Sequence, residues 1–129
     1  SPVGIVMHVK KGDLVKISAG RDRHHGPARI LRVLTDSNRV VVEGRNLVKK
    51  HRRGNPTLGT TSQVVEEEAA IHVSNVALWS EKGSRTVRTQ ARWRSEAGTL
   101  YASEAEAEAA GAAKIRKVRY APATDEVFE

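Results

Sequence analysis

Leu14-Val15-Lys16-Ile17-Ser18 puts Val15 and Ile17 on one side of an extended chain and Lys16 on the other, the two-residue period of a strand with one buried face. Next along the chain stands Gly20-Arg21-Asp22-Arg23-His24-His25-Gly26-Pro27, whose two glycines, Asp and Pro predict a turn-forming loop. Arg29 to Leu34 resumes an apolar-rich strand, Asp36-Ser37-Asn38 turns the chain, and Val40-Val41-Val42-Glu43 forms a third strand ended by Gly44. A fourth runs from Asn46 to His51. Strands this short and this closely spaced predict a mainly β fold, a small antiparallel barrel rather than a βαβ layer.

Beyond this core the chain alternates between loops and short strands. Arg52 to Gln63 is rich in Gly, Pro, Thr and Asn and has no hydrophobic period. It is expected as the loop of a hairpin that returns through Val64-Val65, and a loop this long is usually functional or disordered. Glu66-Glu67-Glu68 reads as a local acidic patch. Ile71 to Trp79 slips phase at Ser74-Asn75, which predicts two short strands joined by a kink. Val87–Arg94 and Ile115–Tyr120 each read as a basic strand. Between them Ala102–Ala113 is rich in Ala and Glu, with Ser103 and Glu106 at the spacing of a capping box. The propensity is helical, but Glu104 and Glu108 repel at i,i+4 and so short a helix is marginal alone. A mobile insertion, about 97–113, is therefore expected between two paired strands.

Composition narrows the function. Among 129 residues there are 22 Lys/Arg against 15 Asp/Glu, a net charge of +7. Residues 1–55 hold 13 Lys/Arg and four Asp/Glu, while residues 56–129 hold nine and 11, so the excess positive charge sits in the first half and suits a polyanion. A merely solubilising surface is the plainer alternative. Cysteine is absent, which excludes disulfides, thiolate zinc sites and cysteine nucleophiles. No apolar run approaches the length of a membrane span and no secretory leader pattern opens the chain, so no membrane partner is expected.

Catalytic and metal readings find little footing. The histidines show neither a His-x3-His nor a His-Glu-x-x-His spacing, so no metal site is expected. Ser18, Asp22 and His24 could be drawn as a triad, but no nucleophile elbow frames them. Neither enzymatic activity, a cofactor nor a small-molecule substrate is expected. The basic half does contain phosphate-binding chemistry. Arg21 and Arg23 can reach phosphates, His24 and His25 can donate or stack, and Gly20 lets backbone approach closely. Lys49-Lys50-His51-Arg52-Arg53 adds a basic strand whose side chains alternate between faces. None of residues 1–55 is Phe, Tyr or Trp, which removes the usual base-stacking platforms and favours phosphate, 2′-OH and shape contacts on folded RNA.

Lys11-Gly12-Asp13 through Gly20, the basic loop, and Val40 to Gly44 together resemble a KOW motif. The longer stretches VVVEGRNLVKKH (Val40–His51) and EEEAAIHVSNVAL (Glu66–Leu78) are similar to the bacterial-type large-subunit ribosomal protein L twenty-four family. The resemblance covers residues 8–79 closely and 85–94 and 114–128 more loosely. It implies an SH3-like barrel over 8–79 with a projecting hairpin loop at 52–63, an N-terminal extension over 1–7, and a C-terminal extension over 80–129. It also implies binding to large-subunit rRNA beside neighbouring ribosomal proteins in the ribosome, early in assembly and near the nascent-chain exit. Position by position it nominates Gly20, Arg21, Asp22, Arg23, Arg45, Asn46, Lys49, Lys50, His51, His72, Ser74 and Asn75 for RNA. With the reading of the basic segments, Lys11, Lys16, Ser18, His24, His25, Arg52 and Arg53 are expected there too. Two departures stand out. A family glycine falls at His24 or His25, where a left-handed backbone would strain a side chain, and Ser62-Gln63 replace a usual glycine pair. The alternative reading is a KOW module of a transcription factor that binds RNA polymerase and RNA.

Overall fold

The computed structural model describes residues 8–129; the extension expected over residues 1–7 lies outside them. The fold is mainly β, with strands β1 (Leu14–Ile17), β2 (Ala28–Leu34), β3 (Arg39–Val42), β4 (Leu47–Arg52), β5 (Gln63–Glu68), β6 (Ile71–His72) and β7 (Val76–Ser80). After these come β8 (Arg85–Val87), β9 (Gln90–Arg94), β10 (Leu100–Tyr101), the short helix α1 (Glu104–Ala109), β11 (Arg116–Ala121) and β12 (Glu126–Phe128). The chain divides into two compact units, the first ending at Trp79 and the second spanning Ser80–Glu129.

In the first unit the strands order as β6-β3-β2-β1-β7, every neighbour antiparallel. Val15 and Ile17 of β1 are buried while Leu14 and Lys16 are only half-buried, as the two-residue period requires. They pack in a core with Ile30, Val40, Val42, Val73, Val76 and Leu78. Each such side chain contributes on the order of 1.5–3 kcal/mol on burial. A register shift between Ile30 and Arg32 bends β2 against β3. The phase slip at Ser74-Asn75 is a 3-10 turn, Val73–Asn75, capped by His72, whose ring accepts from the Ser74 N–H. Its ends are tied by Ser18 N donating to the Asn75 carbonyl (2.9 Å) and Val73 N to the Asn38 carbonyl (2.8 Å).

β4 and β5 form a separate two-stranded ladder, paired from Leu47↔Glu68 to Arg52↔Gln63. The pairing includes both Arg52 and Gln63, so the connecting loop runs over 53–62, within the stretch of about 52–63 expected from composition. That loop holds a 3-10 turn, Pro56–Leu58, capped by the Asn55 side chain. Gly54 permits its closure, since a Cβ there would lie 2.4 Å from the Thr61 carbonyl carbon.

The second unit is a four-stranded antiparallel sheet, ordered β10-β9-β11-β12. The strand expected over Val87–Arg94 is interrupted at Arg88-Thr89, because the five-residue register with β11 begins only at Gln90↔Tyr120. The Ala/Glu segment is docked rather than a free excursion. Ala107 is fully buried, Ser103 Oγ caps the Glu106 N–H at 3.1 Å, and the Glu96 N–H bonds the Ala113 carbonyl at 2.9 Å. A small alanine face can pack closely where a glutamate cannot, and this outweighs the weak intrinsic helicity.

On β11 the Tyr120 hydroxyl donates to Asp125 Oδ1 at 2.7 Å, and this bond to the carboxylate is the main reason that the phenol's pKa is raised. A raised folded-state value favours the protonated phenol. The resulting stability is complete below the unfolded pKa of about 10 and disappears as pH rises through the higher folded value. Tyr120→Phe should abolish this alkaline loss, measurable as urea midpoints on either side of that pH. An unchanged pH profile would show that the bond contributes nothing.

Candidate nucleic-acid interface

The loop after β1 is braced from inside by several of the cations nominated for RNA. Gly20 has φ +91°, a conformation that admits glycine readily. Neither His24 nor His25 is left-handed, so the strain expected from a missing glycine does not arise and the chain takes a different path. Lys16 Nζ donates to the Arg23 carbonyl (2.7 Å), Arg23 to the Gly20 carbonyl (3.0 Å), and Arg45 to the Gly26 carbonyl (3.0 Å). Arg21 donates to the Leu47 carbonyl. A guanidinium has five N–H donors, so each arginine keeps others for an outside acceptor.

Asp22 and Asn46 are placed differently from what their nomination implies. Asp22 Oδ2 accepts the Asn46 backbone N–H at 2.7 Å, and Oδ1 lies 3.1 Å from His25 Nδ1. A carboxylate repels phosphate, and this one ties the loop to the start of β4. Asn46 has φ +51°, and its amide donates to the Ala69 and Ala70 carbonyls at 3.2 Å each. Both residues hold the interface together from within.

The β4–β5 register explains the acidic run. Lys49 faces Glu66, Val48 faces Glu67 and Leu47 faces Glu68, so the three glutamates lie along the basic strand. Arg52 pairs with Glu67, its Nε donating at 2.9 Å. The pair raises the Arg52 pKa, chiefly through the hydrogen bond, and lowers that of Glu67. The Gly44 N–H likewise lowers Glu68. These depressed carboxylates keep their charge at neutral pH, and their stabilisation fades only as pH falls through the lowered values. By contrast Lys11, His24, Lys49, Lys50, His51 and Arg53 are exposed, and their side chains make no hydrogen bond or ion pair among the described residues. The exposed Ser18 and Ser74 flank the kink, Ser74 Oγ 2.8 Å from His72 Nδ1.

Glu67→Gln removes one carboxylate and frees Arg52 for phosphate. RNA binding is expected to tighten and its salt slope to steepen by about one, with thermal stability little changed because the pair is exposed. Weaker binding in a salt titration would contradict this.

A cleft of about 310 Å³ gathers residues from both signatures. Gly20, Arg21 and Asp22 line it with Asn46, His72 and Asn75, over Ile17, Ala19, Ala70 and Ile71. It also contains Arg39, which sequence reasoning missed. Arg39 pairs in register with His72 across β3 and β6, and that neighbour is remote in the chain, so no local pattern announces it. Among the described residues no group of three or more His, Asp or Glu could hold a metal ion, and no helix is long and apolar enough to cross a membrane.

Known proteins share much of this sequence. A family profile described as large ribosomal subunit protein uL24, C-terminal domain, matches residues 45–128, a range that runs through the Ala/Glu segment. The chain is 46% identical over 80 residues to the large ribosomal subunit protein uL24 of Idiomarina loihiensis, covering 62% of this chain and 76% of that one. It is 44% identical over 88 residues to that of Alteromonas mediterranea (68% and 84%), and 48% over 85 residues to that of Brevibacillus brevis (64% and 77%).

Proposed function

The chain belongs to the large ribosomal subunit protein uL24 family, and from that membership we propose that it binds large-subunit rRNA through phosphate and shape contacts as a structural, non-catalytic constituent. The first unit acts as an SH3-like barrel of the KOW type, with the β4–β5 hairpin projecting from it. Lys11, Lys16, Arg21, Arg23, Lys49, Lys50, Arg52 and Arg53 are its phosphate ligands, with Gly20 opening the loop to close approach. His24, His25, Arg45, His51, His72, Ser74 and Asn75 supply polar contacts, and Asp22 and Asn46 keep the loop in place. Residues 80–129 act as a C-terminal extension whose Ala/Glu segment, about 97–113, faces away from RNA, toward solvent or a neighbouring ribosomal protein. The protein joins the subunit early in assembly, near the nascent-peptide exit. The transcription-factor alternative is not favoured by the family membership.

The observation that carries this reading is the set of exposed cations in residues 11–53, with open donors and no Phe, Tyr or Trp among them. Such an interface gains affinity by releasing counterions. If six to ten phosphates are neutralised, affinity for the purified rRNA should fall by roughly 10³–10⁵ between 50 and 200 mM salt. Filter binding across that range tests it. A flat salt dependence would defeat the proposal.

A further inference from the structure

We propose that the cleft between the basic loop and β6 receives a single unpaired RNA nucleotide turned out of its helix. The inference rests on the RNA-binding reading above and assigns this cavity a ligand within it. At about 310 Å³ the cleft lies at the lower end of small-ligand pockets, about 300–1,000 Å³. Ile17, 3% exposed, closes the floor of the cleft, and the exposed Ala19 with the half-buried Ala70 and Ile71 supplies aliphatic surface suited to the face of a base.

The polar lining is arranged for an edge and a charge together. His72 Nδ1 accepts from the Ser74 N–H at 3.2 Å, so in the neutral ring Nε2 carries the proton and can donate. The Asn46 amide gives its N–H groups to Ala69 and Ala70, leaving Oδ1 as an acceptor. The Asn75 side chain makes no hydrogen bond among the described residues and offers both a donor and an acceptor. The Arg39 side chain is exposed and makes no hydrogen bond or ion pair among the described residues. A guanidinium can stack on a base or hold its phosphate. The half-buried Asp22 carboxylate disfavours a bare anion and accepts from an exocyclic amine. A nucleotide satisfies all of these at once. Such contacts reward a base that is already unpaired, because extruding a paired one costs stacking and pairing.

The test compares two RNA hairpins with the same stem, one fully paired and one with a single bulged nucleotide, titrated with the full chain at fixed salt. The bulged hairpin should bind about tenfold tighter. Ala19→Trp would fill the cleft without changing charge and should erase the preference while leaving affinity for the paired hairpin intact, which also shows that the variant folds. Arg39→Ala should erase the preference too. Equal affinity of the unaltered chain for both hairpins would overturn the inference while leaving the RNA-binding reading in place, as would occupation of the cleft by a protein segment instead. Failure to bind either hairpin would overturn both.

Discussion

Replacing Lys49, Lys50 and Arg53 together with Ala is expected to weaken binding to large-subunit rRNA by roughly 10²–10³-fold near 0.1 M salt. Each phosphate contact contributes a salt slope of about 0.9, or roughly an eightfold affinity factor at that concentration. The slope should therefore flatten by about three. The three side chains are exposed and make no hydrogen bond or ion pair among the described residues, so little in the fold depends on them and stability should move by less than about 0.5 kcal/mol. Their removal also leaves Glu66 without the opposing Lys49, which adds repulsion to the lost attraction. Lys49 and Lys50 point to opposite faces of β4, so the full effect requires RNA on both. If the slope of the triple variant matches that of the original chain, the hairpin does not touch phosphate.

The second large effect concerns Asn46→Ala, expected to cost about 2–3 kcal/mol. One part is conformational, since φ +51° tolerates Asn far better than Ala, a difference of about 1 kcal/mol. The rest is the loss of two side-chain bonds to the Ala69 and Ala70 carbonyls, about 1 kcal/mol each. For a unit of this size the melting temperature should fall by roughly 8–20 °C. Asn46→Gly relieves the backbone but not the bonds, so it should recover about 1 kcal/mol. Equal stability of all three proteins would show that the tie carries no load. Because Asp22 anchors to the same residue, RNA affinity should fall with Asn46→Ala and partly return with Asn46→Gly.

Val40–Val42, buried at all three positions, were legible as a strand from their continuous β-branched run, and Val15 and Ile17 because a half-buried strand writes its alternation into neighbouring positions. The kink at Ser74-Asn75 was legible for the same reason, as a break in that alternation. The interruption at Arg88-Thr89 was not, since it is imposed by the register of β9 on β11. The docking of Ala107 was equally hidden, because an alanine carries no mark of what it will be packed against.

For the interface, composition and short-range pattern were enough to identify cations in residues 11–53, an absence of Phe, Tyr and Trp there, and a hairpin bearing a basic strand. These properties are set by which side chains are present and by spacing of a few residues. The roles within that group depended on partners far away in the chain. Register across β4 and β5 put Glu66–Glu68 beside Lys49 and Arg52, turning a separate acidic patch into a counterweight. Pairing of β3 with β6 brought Arg39 beside His72, and the left-handed turn at Asn46 set its amide N–H groups on the Ala69 and Ala70 carbonyls as an internal tie. Charge is a property each residue brings with it, whereas contacts between strands decide whether that charge faces solvent, a carboxylate or a carbonyl.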